Sequence, residues 1–147
     1  MMRRLPRLSI RHYCALILAG LAATVQADVY VIVHRDNPVA TIGMDKVASL
    51  YLGRSRSFDS GHFAVLVDRP GHAPVRERFF LRLAGMTQPQ VNAYWARLSF
   101  TGRVTPPEVR VSDAEVIDTV AAEPLAIGYV SVPPADPRVR VVLQFGE

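Results

Sequence analysis

Residues 64–80 read AVLVDRPGHAPVRERFF, and this stretch decides the fold. Ala64 to Val67 is an apolar, β-branched run of strand character. Arg69-Pro70-Gly71 marks a tight turn. Pro74 suits the first position of a helix, where no N–H donor is needed. Val75, Phe79, Phe80 and Leu83 then recur at helical spacing. A strand that enters a helix through so short a loop directs the helix's free N–H groups at one point, a position suited to a small anion. Arg69 and Arg76 flank that point.

Outward from this unit, Val29 to Val33 (VYVIV) predicts a strand buried on both faces. Asn37-Pro38 breaks it. Met44 to Leu52 predicts a helix with Val47, Leu50 and Tyr51 on one face, closed by Gly53. Arg54 to His62 (RSRSFDSGH) is polar and predicts an exposed loop. Thr87 is placed to cap a third helix, with Val91, Tyr94, Trp95 and Leu98 as its apolar stripe. Pro106-Pro107 makes Val104 to Val111 a loop or edge segment. Ser112 and Glu115 form the pattern of a capping box for a helix from Asp113 to Ala122. Ala126 to Val132 and Val139 to Phe145 predict two further strands. Gly128, inside the first of these, marks a bulge or the close approach of another backbone. The order β-α-β-α-α-α-β-β is that of an α/β layer fold with a mainly parallel sheet.

The chain has 147 residues and a formal net charge of +4. Arg3, Arg4, Arg7 and Arg11 lead into the apolar run Cys14 to Val25, and Val25-Gln26-Ala27 offers small residues at the −3 and −1 positions. This pattern predicts a signal peptide over residues 1–27, cleaved after Ala27, with a domain from 28 to 147 exported to the periplasm. An uncleaved N-terminal anchor is the rival reading. The four leader arginines account for the whole net charge: without them 13 basic residues face 13 acidic ones. Nucleic acid is therefore not an expected partner. The only cysteine, Cys14, lies in the leader, so the domain has no disulfide or thiolate chemistry to draw on.

Catalytic patterns are weak. Ser60, His62 and Asp68 could be grouped as a triad, yet no nucleophile elbow supports them. His34, His62 and His72 lack metal-ligand spacing. Asp113, Glu115 and Asp118 are accounted for by helix capping and surface charge. Trp95 and Tyr94 fit a core-facing helical stripe. No enzyme activity and no cofactor is expected.

Several passages together resemble phosphate ABC transporter substrate-binding proteins. They are Val29 to Val33 followed by Arg35-Asp36-Asn37-Pro38-Val39, the helix ending Tyr51-Leu52-Gly53-Arg54, and Pro74-Val75-Arg76 with Phe79. Tyr94-Trp95, Phe100-Thr101-Gly102 and Glu123 to Val130 continue the likeness. The resemblance implies a three-layer αβα single lobe of the type 2 periplasmic-binding-protein fold, with a mainly parallel or mixed sheet. Full-length members have two lobes that close on the ligand; this chain resembles the second lobe standing alone. It also implies a small anion such as phosphate as ligand, and an ABC permease or an envelope sensor as partner.

In that family an arginine is followed four residues later by Ser-Gly-Thr, and these contact phosphate. Arg69 matches the arginine. Ala73, Pro74 and Val75 stand at the other positions, so both hydroxyls are missing and Pro74 has no N–H to offer. Arg76 and His72 are the residues that could compensate, and Thr41 lies where short relatives carry a hydroxyl. The candidate anion site is thus Arg69, His72, Arg76 and Thr41, with altered chemistry. The alternative is a non-transport interaction or sensory accessory protein that has lost its ligand.

Overall fold

β1 (Val29–His34) is an interior strand of the sheet, and its neighbours set the fold. A computed structural model describes residues 28–146. The expected signal peptide and its cleavage after Ala27 lie outside the described residues. The remaining elements are α1 (Met44–Tyr51), β2 (Val65–Asp68), α2 (Pro74–Ala84), α3 (Gln88–Phe100), β3 (Glu108–Val109), α4 (Asp113–Ala122), β4 (Ala126–Val130) and β5 (Val139–Phe145). One five-stranded sheet has the order β3-β2-β4-β1-β5. β2 pairs in parallel with β3 and β4, whereas β1 is antiparallel to β4 and β5. The sheet is therefore mixed rather than mainly parallel. No helix among the described residues is long and apolar enough to cross a membrane.

Both faces of the sheet are covered, as the unbroken apolar reading of β1 requires. Val31 and Val33 join Ile127 and Tyr129 in a core with residues of α1, α2 and α3. Ile32, Ala126 and Val130 face the other way, onto Val116 and Val120 of α4. This alternation is the two-residue period of a strand, and it gives the helix–sheet–helix layering. Gly128 makes room for side chains of α4 rather than for the other backbone or the bulge that the sequence suggests. A Cβ there would lie 2.7 Å from Val116 Cγ1 and 3.3 Å from Val120 Cγ2, so α4 rests directly on the strand backbone.

Helix α3 also completes α1. The last carbonyls of a helix have no partner within it. Trp95 Nε1 donates to the Tyr51 carbonyl at 3.1 Å, and the Tyr94 hydroxyl donates to the Leu52 carbonyl at 2.5 Å. The aromatic pair therefore packs and caps at once. Gly53 follows at φ 67°, the left-handed conformation that reverses the chain after a helix.

Two expectations change in detail, and a third resolves to one of its alternatives. The polar loop after α1 is not wholly exposed, because Phe58 turns inward and is buried. The segment with Pro106-Pro107 does supply an edge strand, the two-residue β3. The Ser112 hydroxyl accepts from Glu115 N at 3.2 Å, but the Glu115 carboxylate accepts from Val111 N at 3.0 Å rather than from the capping residue itself.

Candidate functional site

The turn between β2 and α2 is built around Asp68, the last residue of β2. The residue is 3 % exposed. One carboxylate oxygen accepts from the Arg69 backbone N–H at 2.8 Å and from the Tyr129 hydroxyl. The other accepts from Arg76 Nε at 3.1 Å. Arg76, 5 % exposed, also donates to Asn92 Oδ1 at 2.8 Å and lies 5.0 Å from the centre of the Phe80 ring. Its charge is thus met by a carboxylate, an amide and an aromatic face. A buried pair of this kind persists only when its remaining donors and acceptors are satisfied.

Arg69 is drawn to a second carboxylate. Its guanidinium pairs with Asp113 at the start of α4 and donates to the Val111 carbonyl at 3.0 Å. The other Asp113 oxygen accepts from Ser131 N at 2.9 Å and from Ser131 Oγ at 2.7 Å. A guanidinium, a hydroxyl, a backbone N–H and the positive end of a helix converge on this group. Those are the donors an oxyanion needs, and the chain's own carboxylate occupies them. Arg69 Nε is buried without a hydrogen-bond partner.

These contacts set the titration of the site. Burial pushes the Asp113 carboxyl up, but Ser131 and Arg69 outweigh it and hold it below the usual carboxylate range. Burial, followed by the Asp68 charge, raises the Tyr51 and Tyr129 hydroxyls well above the usual tyrosine range. The lowered Asp113 value fixes a sign. Its stabilising contribution is fully present above the unfolded carboxylate value of about 4 and disappears as pH falls through the folded value. Urea unfolding from pH 7 down to 3 is expected to show a loss of stability below about pH 4 that is smaller in Asp113→Asn. Equal slopes for the two proteins would show that Asp113 is not held by Arg69.

The four residues singled out in the sequence are not gathered into one pocket. Arg69 and Arg76 are both buried, but their guanidinium groups go to different carboxylates, Asp113 and Asp68. His72 is exposed on the turn between them. Thr41 lies on the β1–α1 connection, where it lines a separate 200 Å³ cavity with Lys46, Phe58 and Asp59. The first turn of α2 has little to offer a ligand: Pro74 has no N–H, and Arg76 N bonds the Ala73 carbonyl at 3.0 Å. Asp68 is no triad member, since its oxygens serve Arg69, Arg76 and Tyr129, while His62 Nδ1 and Ser60 Oγ meet at 3.2 Å on the surface. Sequence reading missed Asp68 and Asp113 as partners of the two arginines. The one available signal was an acid closing an apolar strand immediately before Arg69.

No protein-family model and no curated protein matches the chain. Solved structures do. One is a crystal structure, with bound phosphate, of a protein from Clostridium perfringens described as a phosphate ABC transporter substrate-binding protein. It has a TM-score of 0.63 and 18% identity, over 80% of this chain and 46% of that one. An ABC-type phosphate transport receptor from Vibrio cholerae gives a TM-score of 0.60 and 19% identity, over 79% and 46%. The chain spans about half the length of these structures. At such identity the likeness is one of fold: the mixed sheet with its four helices matches a lobe of a substrate-binding protein.

Proposed function

We propose that the chain is an extracytoplasmic interaction module built on a substrate-binding-protein lobe, whose anion position is neutralised from within. One observation carries this reading: Asp113 takes the Arg69 guanidinium together with both Ser131 donors. Phosphate at Arg69 would have to displace that carboxylate. It would find no hydroxyl at Ala73 or Val75 and no N–H at Pro74. Each phosphate oxygen left unmet would cost roughly 1–3 kcal/mol. The module performs no chemistry. Its role is contact with an envelope protein, a sensor or an ABC permease, after export by the leader at residues 1–27.

A second reading is a weak carrier of phosphate or a similar anion through Arg69, His72, Arg76 and Thr41. It is favoured by the buried, unpartnered Arg69 Nε. Thermal unfolding of residues 28–147 with phosphate and with sulfate separates the two, because a ligand of the native state raises apparent stability by mass action. The module reading predicts no rise at millimolar anion. It also predicts that the immobilised domain retains a specific envelope protein; a monomer that retains none would count against it.

A further inference from the structure

A further cavity lies at the other end of β2 from Arg69. It measures 490 Å³, within the size range of small-molecule sites. Leu50, Leu66 and Trp95 contribute apolar lining, and Phe63 stands at the rim, 71 % exposed. Arg56 and Arg103 also line it. The Arg56 guanidinium donates to the Arg103 carbonyl, tying the loop after α1 to the loop after α3. Neither arginine has a carboxylate partner among the described residues. The one acid in the lining, Glu108, is already paired with Arg110. A partly apolar hollow with two cations that no carboxylate meets is unlike the Arg69 turn, where each guanidinium has a carboxylate partner.

We propose that this cavity binds a small amphiphilic acid, an acyl chain or aryl body ending in one carboxylate. The body would cover Trp95 and Leu66 and remove apolar surface from water. The carboxylate would take charge-assisted hydrogen bonds from Arg56 and Arg103. Phosphate alone offers nothing to the apolar lining, so this site is independent of the Asp113 reading.

Trp95 is the chain's only tryptophan and it lines the cavity, so intrinsic fluorescence reports occupancy directly. Decanoate, titrated below its micelle concentration into residues 28–147, is expected to change Trp95 emission saturably. Decan-1-ol, with the same body and no charge, should bind at least about tenfold more weakly, as should decanoate to the R56A/R103A double variant. Both arginines are exposed, so the variant is expected to fold as the parent does. Absence of a saturable change with decanoate overturns the proposal. So does an affinity that is the same for acid and alcohol and unmoved by the double substitution.

Discussion

Asp68→Ala is expected to destabilise the protein by about 3–5 kcal/mol, the usual result of removing one partner of a buried ion pair. The substitution strands the Arg76 charge at a position only 5 % exposed. It also takes the acceptor from the Tyr129 hydroxyl and from Arg69 N. Against a typical total of about 5–15 kcal/mol, that is a large share of the stability. The double variant D68L/R76M removes both charges and is expected to regain most of the loss, since an apolar pair of similar size can replace a buried ion pair. Urea unfolding of the parent, D68A and the double variant measures this. A D68A protein within about 1 kcal/mol of the parent would mean that the pair is not closed off from water.

Phe79→Ala is expected to cost a similar amount, about 3–5 kcal/mol. Phe79 is fully buried and stacks on Tyr129, with ring centroids 3.8 Å apart and planes 4° from parallel. It also meets Tyr51 edge-on at 4.8 Å and Phe80 at 5.1 Å. Its removal opens a hollow under the Asp68 network, where the Tyr51 hydroxyl lies 2.9 Å from the Val67 carbonyl and 3.0 Å from the Ile127 carbonyl. Phe100→Ala is the matched control. That side chain is 95 % exposed, and its loss should change stability by no more than about 0.5 kcal/mol. Equal unfolding midpoints for the two variants would remove Phe79 from the centre of the core.

The helices were legible because their signals are local. Pro74, Thr87, Ser112 and Gly53 mark helix ends through effects that act within a turn or two of the chain. The apolar stripes of α1 and α2 name the residues that are buried. Strand direction was less accessible. Nothing within VYVIV states that β1 enters between β4 and β5 and runs against both, because that pairing joins residues from opposite ends of the domain. Phe58 was hidden for a related reason: its neighbours are polar, and only the packed structure shows the hollow it fills.

The candidate site divides in the same way. The turn that carries Arg69 between β2 and α2 was legible from the strand-turn-helix pattern. Its electrostatics were not. The partner of Arg69 is Asp113, 44 residues further on, and Ser131 approaches from beyond β4. Asp113 read as a helix-capping acid, and it does sit in the first turn of α4; the same placement delivers it to Arg69. A residue can satisfy a local rule and a distant one together, and only the local one shows in the sequence.

The central claim is that this carboxylate fills the anion position. Isothermal calorimetry of residues 28–147 with inorganic phosphate at neutral pH tests it most directly. The expected result is no saturable heat up to millimolar phosphate. A saturable isotherm at micromolar phosphate that is abolished by Arg69→Ala would contradict it.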